Sequence, residues 1–120
     1  MSVMAKNLDR PDERREFSKG FGNLVHLGAH TVGRGKLEPG WRWSNDIRPI
    51  AGTTSCQFHH TGVALAGTLH VEMDDGTTID IGAGDVYDIP PGHDAWVAGD
   101  EPYESIDWSP RLDEFAKKSP

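Results

Sequence analysis

A cysteine and two histidines are the residues of this chain best suited to chemistry. Cys56 and His60 fall within SCQFHHTGVALAG, and His93 falls within GDVYDIPPGHDAW. Thiolates and imidazoles suit borderline and soft metals, and three protein ligands leave one position of a four-coordinate ion open to water or substrate. Residues 55–66 read as a strand, apolar and bounded by Gly67. Side chains alternate along a strand, so Cys56, Phe58 and His60 are expected on one face, with Gln57 and His59 on the other. His93 follows a Pro-Pro-Gly corner and is placed to approach from the rim. Cys56, His60 and His93 are therefore candidate ligands for a divalent transition metal: zinc, iron, nickel or manganese, with copper also suited to the donor set. His60 and His93 are also the candidate catalytic acid–base groups. Each has a plainer role open to it: Cys56 as a small buried apolar residue, His60 as a hydrogen-bonded core histidine, His93 as a turn-fixing one. His59 reads as a surface residue, and His26, His30 and His70 as structural or exposed.

Around these residues the chain offers carboxylates and aromatics. Asp88 and Asp94 flank the proline corner. Asp88 shares a face with Val86 and is expected to be partly enclosed, and a carboxylate beside His93 would orient its ring and raise its basicity. The competing role for both is a turn cap on a solvated surface. Trp41 and Trp43 either cover a cavity mouth and stack on a ligand, or fill core or an intermolecular contact. Trp43, Phe58 and Ala95 are the candidate pocket-lining residues. Trp96 and Trp108 read as packing residues on strands.

The elements that must position these groups are short strands. Residues 24–30, 30–37, 55–66, 68–73, 77–81, 86–89, 95–98 and 103–108 have strand character, separated by Gly and Pro, with Asp75-Gly76 a two-residue hairpin signal. Residues 41–54 read as a loop. No helix is expected before the C-terminal stretch, where RLDEFAKKSP could form one or two turns. Residues 1–20 are polar and charged and read as an irregular or edge segment. Many short strands without a helical period predict an all-β barrel or sandwich: jelly roll, lipocalin-like barrel or immunoglobulin-like sandwich.

Size and charge narrow the function classes. At 120 residues the chain is expected to form one domain. A formal net charge of −7 argues against non-specific nucleic-acid binding, which needs basic patches. A single cysteine excludes an intramolecular disulfide. No apolar run approaches the roughly 20 residues of a membrane span, so no membrane partner is expected. The N-terminal residues lack the apolar core of a secretory signal, so a cytoplasmic location is expected. There is no phosphate-binding loop, nucleophile elbow or zincin helix.

Two segments together resemble the paired motifs of the cupin superfamily. In the second motif Gly84, Pro90 and Gly92 fall in place, Ala95 occupies the customary histidine position, and His93 stands two residues earlier. In the first, aligned on Gly67, His60 occupies the customary glutamate position, and Thr54 and Cys56 occupy the two histidine positions. The match runs over residues 30–108, and with PGWRWS and MDDGT the chain is similar to small single-domain bacterial cupins. The resemblance implies a double-stranded β-helix, or jelly-roll barrel, over residues 21–110, with residues 111–120 a tail or short helix. It implies a small-molecule ligand and pairing through an outer sheet, so a homodimer is expected. It also implies the cupin range of activities: dioxygenation, isomerisation, decarboxylation or lyase chemistry on small polar or aromatic acids. Two readings stand: a metal-dependent enzyme using Cys56, His60 and His93, and a metal-free ligand-binding or sensory module whose pocket is lined by Phe58, His60, Ala95 and the tryptophans.

Overall fold

The computed structural model describes residues 2–117. Two antiparallel sheets carry the fold. The larger holds β1 (Glu13–Phe17), β2 (Gly20–Leu27), β3 (His30–Leu37), β4 (His60–Ala66), β7 (Val86–Ile89) and β9 (Tyr103–Asp107), in the order β1-β2-β3-β9-β4-β7. The smaller holds β5 (Thr68–Met73), β6 (Thr78–Gly82) and β8 (His93–Ala98), in the order β6-β5-β8. The N-terminal segment thus contributes a regular edge strand, β1, paired with β2 from Glu13 against Leu24 to Phe17 against Gly20. Among the described residues no helix is long and apolar enough to cross a membrane.

The core lies between the sheets because each strand alternates. Leu69 and Val71 of β5, Ala95 and Val97 of β8, and Tyr87 and Ile89 of β7 all point inward and are buried. Trp41, Trp43 and Ile47 join them from the segment between β3 and β4. That segment is not a plain loop. It forms two single-turn helices, α1 (Trp43–Asp46) and α2 (Arg48–Ala51). Such short turns leave no periodic signature in sequence and are held by packing rather than propensity. The Asp46 carboxylate accepts from Arg42 N at 2.8 Å and from Ser18 Oγ at 2.7 Å, and Gly52 ends α2 at φ +77°.

Two further expectations are corrected. β4 starts at His60, not at residue 55. The preceding residues are irregular because the Cys56 backbone is drawn to the corner before β8: Cys56 N donates to His93 O at 2.7 Å, and Gly92 N donates to Cys56 O at 2.7 Å. Asp88 is not enclosed. The large residues Tyr87 and Ile89 set the phase of β7, so Val86 and Asp88 point out, and the Asp88 side chain is 68% exposed. In the C-terminal stretch a 3₁₀ turn forms at Leu112–Glu114; residues 118–120 lie outside the described residues.

Candidate functional site

The Pro-Pro-Gly corner builds one half of the site. Gly92 has φ +93°, and a Cβ there would meet Asp74 Oδ2 at 3.0 Å. Only glycine turns this corner without strain. The turn directs His93 inward, where it is 3% exposed, and its Nδ1 lies 2.8 Å from Pro90 O. A carbonyl can only accept, so the Nδ1–H of His93 donates to it. The carboxylate expected to orient this ring does not do so. Asp94 points to the other face of β8, where it accepts from Ser44 N and from Arg42 Nε, both at 3.1 Å, and so anchors the helical segment.

His60 supplies the other half. It opens β4 opposite Ile89 of β7, and β4 lies between β7 and β9. Its Nε2 is 3.5 Å from Cys56 Sγ and its Nδ1 is 3.8 Å from Asp107 Oδ2. Asp107 is itself fixed: Tyr87 Oη donates to Oδ2 at 3.1 Å, and Ser109 N donates to Oδ1 at 2.8 Å. Gly62 makes the Tyr87 contact possible, since a Cβ at that position would lie 2.4 Å from the Tyr87 oxygen.

One donor atom each from Cys56, His60 and His93 lies within 4.8 Å of the others. Strand alternation is not what joins them. Cys56 comes from the irregular segment, His60 from the start of β4 and His93 from the start of β8. Burial alone would push the Cys56 thiol up, but the imidazoles of His60 and His93 outweigh it and bring it down to about 6. Burial alone would likewise push His60 down, yet Asp107 and Cys56 raise it to about 9. The pair is therefore a thiolate beside an imidazolium at neutral pH.

The donor set fits a transition metal. Zinc bonds of about 2.0–2.3 Å place the donors of one ion about 3.3–3.8 Å apart. The Cys56–His60 separation already falls there, and both rings have their second nitrogen facing an oxygen, the usual arrangement behind metal-bound histidine.

A cavity of about 120 Å³ adjoins the cluster. His60, His93, Trp41, Trp43, Tyr103 and Phe115 are among its walls. Ala95 and Trp43 also line it. Phe58 stands outside it, stacked behind His60 with ring centroids 6.0 Å apart and edge-on to Phe115 at 5.2 Å. Cys56 is buried and does not reach the cavity wall. Phe115 covers His60 edge-on at 4.9 Å, and the buried Arg15 holds it there by donating to Phe115 O at 2.6 Å. His59 points outward and pairs with Asp88. Sequence reasoning missed Asp107, Tyr87 and Tyr103. The signal was present: Tyr103, Ser105 and Asp107 alternate along β9 and share its inward face.

No family model and no curated protein matches the chain. Solved structures do. An RmlC-like cupin from Shewanella frigidimarina is similar over 93% of this chain and 96% of its own, with TM-score 0.58 and 16% identity. Ectoine synthase from P. lautus covers 90% of this chain and 78% of its own, at TM-score 0.65 and 11% identity. A cupin-like protein from Thermotoga maritima covers 84% and 80%, at TM-score 0.56 and 18% identity. With the two antiparallel sheets and the glycine-bounded motifs, these likenesses show that the chain has the cupin fold, a double-stranded β-helix.

Proposed function

We propose that this protein binds a divalent transition metal through Cys56, His60 and His93 and acts on a small molecule held in the adjoining cavity. One observation carries the reading: three soft or borderline donors converge within 4.8 Å, two of them in the cavity wall, with both histidines oriented from behind. A thiolate with two imidazoles favours zinc, iron, nickel or copper over manganese. When bound, the metal supplies Lewis-acid polarisation or an activated water at its open position. The chain's own residues do the rest. Pro90 O holds the His93 proton on Nδ1, and Asp107 holds the His60 proton on Nδ1, so that both Nε2 atoms face the site. Trp41, Trp43 and Phe115 exclude bulk water. The oxygenase, isomerase and lyase classes all remain compatible with this donor set, and the cytoplasm and a homodimer belong to the same proposal.

A metal-free ligand-binding module is the second reading. It is favoured by the Cys56–His60 pair, whose opposite charges already satisfy each other. Elemental analysis of untagged protein separates the two, repeated on Cys56→Ala and His60→Ala. Near-stoichiometric metal that is lost in both variants is the expected result. Protein that is isolated metal-free and does not take up zinc, iron, nickel or manganese would overturn the metal reading in favour of the module.

A further inference from the structure

The hairpin of β2 and β3 carries two kinds of glycine. Gly20 and Gly33 are crowded. A Cβ at Gly20 would lie 2.6 Å from Phe17 Cε1 and 2.8 Å from Lys36 O, and one at Gly33 would lie 2.8 Å from Leu24 Cδ2 and 3.1 Å from Leu112 Cδ2. Gly22 and Gly35 are not crowded. A Cβ at Gly22 would meet nothing within 4 Å among the described residues, and one at Gly35 would come no closer than 3.8 Å, to Ser105 Oγ. Neither has a positive φ. A glycine inside a strand loses backbone entropy that alanine would not, so at these two positions it weakens the sheet with no return in packing or turn geometry.

Register sets the open positions side by side. Gly22 pairs with Gly35, and Gly35 pairs with Ser105 of β9. All three line the cavity that reaches His60 and His93. Adjacent strands lie about 4.8 Å apart, so the three residues make a trough about 10 Å long across the sheet, floored by main chain and one hydroxyl. Arg15, opposite Gly22, closes it at β1. The row of Phe17, Leu37 and Tyr103 flanks it on one side, and Leu24 and Leu112 flank it on the other. Asp107 follows Ser105 by two residues on the same face of β9, so the trough ends beside the Asp107–His60 contact.

We propose that Gly22 and Gly35 determine specificity: with Ser105 they floor a subsite that takes the flat ring of a small aromatic molecule. A floor without side chains is flat and meets a planar ring over its whole face, whereas a puckered ring meets it over less of its area. Phe17 and Tyr103 give the flank aromatic surface, on which a ring packs offset or edge-on. The cavity, about 120 Å³, is of the size at which an apolar space takes one benzene-sized molecule.

This inference rests on the proposed function in taking the cavity as the substrate pocket, so it is tested on metal-stripped full-length protein, with metal uptake measured separately. Benzene and cyclohexane carry no polar group and probe the trough alone. In amide NMR titrations benzene is expected to shift the signals of Gly22, Gly35 and Ser105 and to bind at least fivefold more tightly than cyclohexane. Gly22→Ala and Gly35→Ala place a methyl group in the trough without a backbone clash. Each is expected to keep the midpoint of chemical denaturation or raise it, and to weaken benzene fivefold or more, the scale of overpacking a filled site by one methyl group. Gly82→Ala is the control. Its Cβ is equally free, with Asp85 Oδ2 nearest at 4.0 Å, but Gly82 is outside the cavity wall, and benzene affinity is expected to stay as it is. No benzene shifts at the trough, cyclohexane bound as tightly as benzene, or full benzene affinity in both trough variants would overturn the proposal. Benzene bound at the trough of protein that takes up no metal would uphold it while the metal reading fails, and metal uptake without benzene binding would do the reverse.

Discussion

The two walls of the cavity differ in how their polar groups are satisfied. One is formed by His60, Asp107 and Tyr87, backed by Cys56 and Ser109, in a continuous line of contacts in which every member faces a partner. On the other, Trp41 and Trp43 bury two indole donors that face none among the described residues. Charged groups cannot be buried alone without a large penalty, so the first wall had to be built as a network. Neutral donors are cheaper to leave unpaired, at a cost of about 1–3 kcal/mol each. The difference teaches where each wall is fragile. The paired wall fails when its geometry is disturbed, and the unpaired wall has no such network to lose.

The largest break in this comparison is expected from Gly62→Ala. The added Cβ would lie 2.4 Å from both Ile106 O and the Tyr87 hydroxyl, so β4 must separate from β9 or Tyr87 must leave Asp107. Overpacking of this kind costs about 3 kcal/mol or more when backbone is the neighbour. Chemical denaturation should show it as a clear fall in midpoint. Gly35→Ala is the control: its nearest atom is Ser105 Oγ at 3.8 Å, and a change under about 1 kcal/mol is expected. A Gly62→Ala variant as stable as Gly35→Ala would mean that the Tyr87–Asp107 contact does not hold the first wall together.

Asp107→Asn tests the same wall with less damage. The amide keeps the shape but cannot hold the His60 Nδ1 proton by charge. Removing such a partner behind a metal-bound histidine typically costs 10–100-fold in affinity. Competition with a chromogenic chelator would read this directly, and an unchanged affinity would remove Asp107 from the site.

The Cys56–His60 pair gives a third test, in pH. For Cys56 the folded value, about 6, lies below the unfolded one, so its stabilisation is present above the unfolded value and is lost as pH falls through 6. For His60 the folded value, about 9, lies above the unfolded one, so its stabilisation is present below the unfolded value and is lost as pH rises through 9. Between those limits the folded pair and the unfolded pair each hold one proton, on histidine in one case and on cysteine in the other. The two slopes oppose, and thermal stability of metal-free protein should be nearly flat there as far as this pair is concerned. The thiolate itself should still be visible. Cys56 is the only cysteine, so ultraviolet thiolate absorbance should rise with a midpoint near 6 and disappear in Cys56→Ala. A midpoint in the ordinary thiol range would show that the imidazoles do not act on Cys56.

Much of the fold was legible because its signals are local. Asp75-Gly76 turns β5 into β6, Gly67 carries β4 into β5 with φ +74°, and alternation marks most strands to within two residues. The cluster of Cys56, His60 and His93 was legible as residue types, but the reason given for it was not the one found. Cys56 reaches His60 through the bridge to the proline corner, a long-range contact that strand periodicity cannot encode. The short helices between Trp43 and Ala51 were missed because tertiary contacts, not propensity, hold them. Asp107 was missed for a different reason. Alternation along β9 marks it as inward-facing, but its role depends on β9 lying next to β4, and pairing between strands so distant in sequence is not written in either strand alone.

The smallest effect is expected one residue from the largest chemistry. His59 and His60 are neighbours in sequence, yet the His60 side chain is 13% exposed and the His59 side chain 45%. His59 pairs with Asp88 on the outer face of β7, where water and salt screen the contact. An exposed pair of this kind contributes about 0–1 kcal/mol. His59→Ala should therefore leave metal content, the cavity and the thiolate midpoint as they are, with a stability change near the limit of measurement. His60→Ala should remove the first and the last of these. If His59→Ala also abolished metal uptake, the metal would have to sit on the outer face of the sheet, and the division of the cavity into a paired and an unpaired wall would no longer describe where the chemistry occurs.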